Sequence, residues 1–241
     1  MRTMLVTVVP PTNLVSARSA WICTINDLMQ LVGADVDLFI WHAPSQASEL
    51  PESFSGDKVR IYEMSTLWHV DFIKHATSHY SPGMQWSYLV DLQAIGLLND
   101  AVLVSEHQRQ NVMSERFIWV SPSMPKRHLS TFALSVPEIS AQRAQWLSAW
   151  NGTDQHDQPR SSRAPALISA SPSLINRVNA TYWHLYDSAI RTGHLPSLPR
   201  IYEELAASIP GVISWLDMSS APGLDATSMP DVMLNTFAIY G

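Results

Sequence analysis

The chain has 241 residues, of which 46% are hydrophobic and 15% are charged, and its net charge is −6. This balance provides no basic surface of the kind that duplex-binding proteins use, so charge gives no support to nucleic acid as a partner. The single cysteine excludes an internal disulfide framework, and no apolar run reaches the about 20 residues of a membrane span. We therefore expect a soluble, cytoplasmic protein with a large apolar core, and the low charge is compatible with a homo-oligomer.

Strands and helices alternate along the first part of the chain. Residues 4–9 are apolar and β-branched, which predicts a buried strand, and two prolines end it. Residues 14–32 repeat apolar side chains at helical spacing, which predicts an amphipathic helix. The next predicted elements are a strand at residues 36–41, a strand at 58–64 and a helix at 84–98.

A further strand, helix and strand are predicted between residues 101 and 120. Residues 101–104 are a short apolar run, Ser105 and Gln108 match a capping box at a helix start, and residues 117–120 form the next apolar run. The order β-α-β-β-α-β-α-β predicts a doubly wound, mostly parallel, Rossmann-like sheet with helices on both faces. Such sheets bind ligands beyond the carboxyl ends of their strands.

The second part of the chain contains a polar linker and a smaller α/β pattern. A helix is predicted at residues 137–150, and the Gly-, Asp- and Pro-containing segment 151–162 predicts a linker. After the linker we expect a strand at residues 166–170, helices at 174–191 and 199–208, and a strand at 211–216. The predicted division is an N-terminal domain at residues 1–150 and a smaller or truncated C-terminal α/β lobe at residues 163–241.

The familiar signatures of dehydrogenases, P-loop proteins, zinc fingers and hydrolases are absent from the sequence. Asp35 and Asp37 match a DxD metal pattern, but they precede a strand, so a solvated strand entry is the better interpretation. A metal site could instead form at His75 and His79, which are four residues apart and would share a helix face, with Asp71 one turn earlier and His69 close by. A second interpretation, which we favour over the metal site, is that one of His69, Asp71 or His75 lies in a loop after the third strand, faces a cleft and serves as a base or hydrogen-bonding group. A third is that these are ordinary surface or core side chains.

Two predicted helix starts carry groups suited to an anionic ligand. Glu106, His107 and Arg109 lie in the first turn of the helix predicted after Ser105, where free backbone N–H groups favour an anionic or hydroxyl-rich ligand. Arg177 lies early in the helix after the strand at residues 166–170, and its guanidinium suits a phosphate.

The segments Val102-Leu103-Val104-Ser105-Glu106 and Ile118-Trp119-Val120-Ser121-Pro122, followed by Phe132, resemble the end of the N-terminal domain in B-fold glycosyltransferases, which have two Rossmann domains. The resemblance extends to the opening strand and helix, and to the linker before a second strand–loop–helix unit. It implies a GT-B-like fold with an acceptor near Asn13, His69, Asp71 and Glu106. It also implies that the diphosphate of a nucleotide sugar lies near Arg177.

These observations predict a glycosyltransferase-like enzyme that moves a sugar from a nucleotide-sugar donor to a hydroxyl acceptor in an interdomain cleft. For an inverting reaction His69 or Asp71 is the predicted base, and Arg177, with Lys126 or Arg127, would offset charge on the leaving diphosphate. We expect no resident metal or cofactor. Two alternatives stay open: a non-enzymatic α/β binding or assembly protein, and a metal-dependent hydrolase that uses the histidine cluster defined above.

Overall fold

Seven strands form one sheet in the computed structural model of the chain, which describes residues 2–44, 50–64, 67, 69–107, 114–121, 147–150, 167–195, 197–210 and 212–216. The strands are β1 (Thr3–Val8), β2 (Val36–His42), β3 (Val59–Glu63), β4 (Arg116–Val120), β5 (Leu147–Trp150), β6 (Leu167–Ala170) and β7 (Ile213–Leu216). Their order across the sheet is β3-β2-β1-β4-β6-β5-β7. All neighbours are parallel except β6, which is antiparallel to both β4 and β5. The predicted mostly parallel sheet is therefore confirmed.

Helices cover both faces of this sheet. They are α1 (Val15–Met29), α2 (Val70–Ala76), α3 (Pro82–Asp91), α4 (Ala94–His107), α5 (Pro172–Arg191) and α6 (Leu198–Ser208), with a 3-10 turn at Glu52–Phe54. Apolar side chains of α1 and the 3-10 turn pack on one face, and those of α2 to α6 pack on the other. In the part of the chain described here no single helix is long and apolar enough to cross a membrane, although α3 and α4, bent by 60°, meet that test of length and composition together.

The central strands are apolar because both of their faces are covered. All six residues of β1 and all seven of β2 are buried. Met4 and Val6 belong to the core under α2 to α6, whereas Leu5 belongs to the core under α1. Alternate side chains of one strand thus enter two different cores, which explains the uninterrupted apolar run in the sequence.

The predicted strand at residues 101–104 was wrong, because these residues belong to α4. Residues 94–99, Ala101 and Val102 are buried, and the Trp41 indole N–H of β2 donates to the Leu97 carbonyl oxygen at 3.2 Å. A helix that is buried on most sides gives an apolar run that periodicity does not distinguish from a strand. A helix is also what the topology requires here, because the chain must cross back over the sheet from β3 to the parallel strand β4.

The predicted helix at residues 137–150 was also wrong where the structure describes it, at Leu147–Trp150. This segment is β5, and it is paired on one side with β6 and on the other with β7. Backbone pairing on both sides favours a strand over local helix propensity. Residues 137–146 and the predicted linker at 151–162 lie outside the described residues.

Both sides of the predicted linker contribute to the same sheet, because β5 precedes it and β6 and β7 follow it. Within the described ranges the strands after the linker extend the sheet of β1 to β4 and form no second sheet. The two separate Rossmann domains of a B-fold are therefore not confirmed. The division into residues 1–150 and 163–241 stays a prediction, and such a boundary would pass through this sheet.

Helices α4 and α5 approach closely at Gly96. A Cβ atom at Gly96 would lie 2.6 Å from Cζ2 of Trp183. The Trp183 ring has little freedom to move away, because it packs edge-on against Tyr186 with ring centroids 5.1 Å apart. The absence of a side chain at Gly96 is therefore what allows the two helices to pack at this distance.

We expect Gly96→Ala to lower the free energy of unfolding by about 1–2 kcal/mol, although alanine is the better helix former by about 1 kcal/mol. The cost of the overlap with Trp183 exceeds the gain in propensity. Urea denaturation of the two proteins measures the difference. In a Trp183→Ala background the same substitution should be neutral or stabilising, and an equal loss in both backgrounds would show that the overlap is not the cause.

Candidate functional site

The carboxyl ends of β1 to β4 meet at one edge of the sheet, where polar groups gather. Asn13 is exposed in the turn after β1, and the turn is held by Arg18, whose buried guanidinium donates to the Pro10 carbonyl oxygen at 2.7 Å. His42 ends β2 and is buried, and Ser121 follows β4. Parallel α/β sheets bind their ligands beyond this edge, so these groups lie where a substrate is expected.

His69, which comes after β3 at this edge, has an unusual backbone conformation. Its φ is 55° and its ψ is 30°, and within the described ranges it is the one residue other than glycine with a positive φ. A left-handed conformation costs a non-glycine residue about 1–2 kcal/mol. His69 immediately precedes α2, yet its side chain makes no capping hydrogen bond to that helix. Strain of this kind is concentrated at functional sites, which makes His69 a candidate functional residue.

The His69 imidazole contacts a carboxylate from a distant part of the chain. Its Nε2 atom lies 3.3 Å from Oδ1 of Asp187 on α5, and the other carboxylate oxygen, Oδ2, lies 2.6 Å from Nε of Arg191. The imidazole ring also lies beside that of Tyr186, with centroids 5.8 Å apart. The side chains of His69 and Asp187 are 32% and 36% exposed, so a solute can reach them. With one ring nitrogen facing a carboxylate, the other nitrogen is available to accept a proton.

Two buried hydrogen bonds hold the helices behind this pair. The Tyr182 hydroxyl of α5 donates to the Leu92 carbonyl oxygen at 2.7 Å, between α3 and α4. One residue earlier, Asp91 accepts a hydrogen bond at 2.6 Å from the Ser121 hydroxyl, directly after β4. The α3–α4 junction is therefore bonded to α5 on one side and to the end of β4 on the other, and the first bond anchors the helix that carries Asp187.

Burial changes the acidity of the tyrosines in this region. It raises the pKa of four tyrosines above the ordinary value, namely Tyr88, Tyr182, Tyr186 and Tyr202. Neighbouring tyrosines raise the pKa of the first three further, whereas at Tyr202 the nearby Asp91 carboxylate adds to the rise and a hydrogen bond with Tyr182 opposes it. The folded protein therefore holds these phenol protons at a pH where the unfolded chain releases them.

We expect the free energy of unfolding to fall as the pH rises above about 10, the pKa of tyrosine in an unfolded chain. A raised pKa in the folded state stabilises the protein below that pH, and the stabilisation is lost towards the higher pKa of the folded state. Urea denaturation at a series of alkaline pH values measures the loss. Tyr202→Phe should reduce its slope, because one of the contributing groups is removed. An unchanged slope would contradict this assignment.

Three of the predicted site residues lie at the carboxyl edge, namely Asn13, His69 and Asp71. Asp71 is exposed in the first turn of α2, two residues after His69. Arg177 is exposed on α5, ten residues before Asp187, which is about 15 Å along the helix axis. The structure therefore does not bring Arg177 beside the His69–Asp187 pair.

Glu106 and His107 lie at the C-terminal end of α4 and not at a helix start. Because α4 leads back to the beginning of β4, this end lies towards the opposite edge of the sheet. A helix C-terminus presents carbonyl oxygens and not N–H groups, so it does not attract an anion. Glu106 and His107 therefore lack the free N–H groups on which the predicted anion contact depends. Arg109, Lys126 and Arg127 lie outside the described residues.

The sequence offers candidate metal ligands at two places, the DxD pattern of Asp35 and Asp37 and the histidine cluster. Asp37 is buried in β2 and its carboxylate pairs with the Arg2 guanidinium at 2.7 Å, so it is a structural ion pair and not the solvated strand entry that we expected. His75 and His79 are exposed. Within the described residues, no three or more His, Cys, Asp and Glu side chains lie close enough together to hold a metal ion. The hydrolase alternative thus lacks an assembled ligand set in this part of the chain.

Sequence reasoning missed Asp187 and Arg191. Their spacing of four residues on α5 is typical of an ion pair within one helix, and this spacing can be read from the sequence. Nothing in the sequence indicates that Asp187 contacts a histidine 118 positions earlier.

No protein-family model matches the chain, and no curated protein matches it. Among solved structures the chain is similar to a glycosyltransferase involved in the glycosylation of the major capsid of PBCV-1, with a TM-score of 0.52 and 11% identity over 90% of this chain and 82% of that one. A 4-diphosphocytidyl-2C-methyl-D-erythritol synthase from Anaerococcus prevotii DSM 20548 has a TM-score of 0.45 and 9% identity, over 99% of this chain and 95% of that one. The first similarity shows a shared mixed α/β fold.

Proposed function

We propose that the protein is a glycosyltransferase-like enzyme that moves a sugar from a nucleotide-sugar donor to a hydroxyl acceptor. The observation that carries this proposal is the imidazole of His69, held by a carboxylate at the edge where a parallel α/β sheet binds its ligands. The fold shared with the PBCV-1 glycosyltransferase supports the reaction class at the level of architecture. The proposal needs one active-site edge and does not depend on two separate lobes.

In the proposed reaction His69 removes the proton from the acceptor hydroxyl as its oxygen attacks the anomeric carbon of the sugar. The bond from that carbon to the diphosphate oxygen breaks, and the nucleoside diphosphate leaves with the electron pair, so the configuration is inverted. Asp71 is the second candidate for the base, but it is exposed and near the start of α2, where a carboxylate is also favourable for stability. Asn13 is a candidate for contact with the substrate.

The leaving diphosphate needs positive charge. Lys126 and Arg127 follow β4 in the sequence and are our first candidates for this role. Arg177 is the weaker candidate, since it is about 15 Å along α5 from Asp187. Replacing Lys126 and Arg127 together with Gln would test their part in donor binding.

The proposal is tested by titration calorimetry with a panel of nucleotide sugars and free nucleoside diphosphates, followed by assays for nucleoside diphosphate release with sugar and phenol acceptors. We expect at least one nucleotide sugar to bind and the free diphosphate of the same nucleotide to compete with it. A neutral nucleoside serves as the control, because it lacks the diphosphate. Absence of binding across the panel, together with a stable oligomer, would contradict the proposal and favour the α/β assembly protein.

A further inference from the structure

The carboxylate of Asp187 lies between two cationic or polar partners and uses a different oxygen for each. Oδ1 faces Nε2 of His69 at 3.3 Å, and Oδ2 faces Nε of Arg191 at 2.6 Å. Arg191 lies one turn later on the same helix and engages Oδ2, so Oδ1 is the oxygen that faces the imidazole. The Asp187 carboxylate therefore has a partner for each oxygen, His69 for Oδ1 and Arg191 for Oδ2.

The two members of the pair come from segments of different kinds. Asp187 lies in a 20-residue helix that is anchored by the buried Tyr182 hydroxyl and by the close contact of Trp183 with Gly96. His69 lies in a connection after β3, in a left-handed conformation that turns its side chain towards α5 instead of capping α2. The carboxylate on the packed helix is thus the partner suited to orient the imidazole.

Stability alone does not account for this arrangement. Exposed ion pairs contribute little to the stability of a protein, and the side chain of Arg191 is 79% exposed. The left-handed backbone at His69 opposes folding, and no capping hydrogen bond from its side chain compensates for it. A role in orienting the His69 imidazole accounts for the pair, whereas its small contribution to folding stability does not.

We propose that Asp187 is a positioning residue for His69, and the inference in its full form rests on the proposed function. The Asp187 carboxylate accepts the Nε2 proton of the neutral imidazole, so the neutral ring keeps a single tautomer. Nδ1 is then the nitrogen that takes the proton from the acceptor hydroxyl, and the resulting imidazolium faces the carboxylate. Asp187 itself touches neither substrate nor reacting atom.

The first experiment needs no substrate and decides the inference by itself. Two-bond ¹H–¹⁵N spectra of the full chain, labelled at histidine, show which ring nitrogen of His69 carries the proton. We expect Nε2 to carry it in the wild type, and Asp187→Ala to give a mixture of tautomers. Glu204→Gln is the matched control, because it breaks a similar pair, from Arg200 Nε to Glu204 Oε1 at 2.7 Å on α6, and should leave His69 unchanged. A proton on Nδ1 in the wild type, or a tautomer unchanged by Asp187→Ala, would overturn the inference.

The second experiment tests the consequence for catalysis. With a nucleotide sugar that the wild type turns over, Asp187→Ala should lower kcat about 10- to 100-fold and leave the KM for the donor unchanged. Asp187→Glu should restore part of kcat, because it returns a carboxylate to the same face of α5. A loss that appears in KM and not in kcat would contradict a positioning role. Absence of turnover in the wild type would count against the proposed function, while the tautomer experiment still decides the role of Asp187.

Discussion

Replacing His69 with asparagine should lower the rate of sugar transfer about 10²- to 10⁴-fold while the affinity for the nucleotide sugar stays as in the wild type. The imidazole is proposed to act on the acceptor hydroxyl, so its loss affects the chemical step and not the binding of the donor. Asparagine is the appropriate substitution because it tolerates the left-handed backbone with φ of 55° that this position requires. Turnover and calorimetric titration of the same preparation measure the two quantities.

Two further variants complete this test. His194→Asn makes the same substitution at an exposed histidine after α5 that contacts Thr192, and it should leave turnover unchanged. Asp71→Asn distinguishes the two candidate bases, since a large loss of kcat there with a small loss in His69→Asn would transfer the role to Asp71. Thermal unfolding of all three variants near the wild-type temperature is required for the comparison. If His69→Asn instead weakens donor binding and spares turnover, the imidazole is not the base.

Tyr182→Ala should lower the free energy of unfolding by about 3–5 kcal/mol, the usual cost of deleting a large buried aromatic side chain. Tyr182 is fully buried, its ring contacts that of Tyr202 with centroids 5.7 Å apart, and its hydroxyl donates to the Leu92 carbonyl oxygen. The substitution leaves both a cavity and a buried carbonyl oxygen that has lost its donor. Urea denaturation followed by tryptophan fluorescence measures the change.

Tyr182→Phe separates the two contributions of this side chain. It keeps the ring and removes the hydroxyl, so we expect a smaller loss of about 1–3 kcal/mol from the unpaired Leu92 carbonyl oxygen. Because the alanine variant is expected to be close to unfolding, the phenylalanine variant also keeps the comparison measurable. Equal losses in the two variants would mean that packing of the ring contributes little, contrary to its complete burial.

The strands were predictable where each has a simple apolar pattern and a clear end. The apolar, β-branched run at residues 4–9 ends at Pro10 and Pro11 after β1. The bounds of strands β2, β3 and β4 differ from the predicted bounds by no more than one residue at each end. The α4 helix was not predictable in this way, because burial on most sides removes the polar face that periodicity depends on. The β5 strand was missed because it depends on neighbours that are distant in the sequence.

The candidate site was predictable in part for a related reason. His69 and Asp71 could be identified because they follow a strand whose carboxyl end had been recognised. Asp187 could not, because its relation to His69 depends on the path of α5 across the sheet. The role predicted for Glu106 and His107 depended on a helix that starts after Ser105. In the structure the two residues lie at the end of the buried α4 helix instead.

The antiparallel direction of β6 determines how far along α5 Asp187 must lie to reach the edge with the proposed site. A helix that follows an antiparallel strand begins at the opposite edge from the proposed site, and the 20 residues of α5 extend about 30 Å back across the sheet. The number of helical residues between Tyr182 and Asp187 therefore fixes the position of the carboxylate relative to His69. One residue inserted between Tyr182 and Asp187 would rotate the carboxylate by about 100° around the helix axis, so sequence changes that preserve the pair are substitutions and not insertions or deletions.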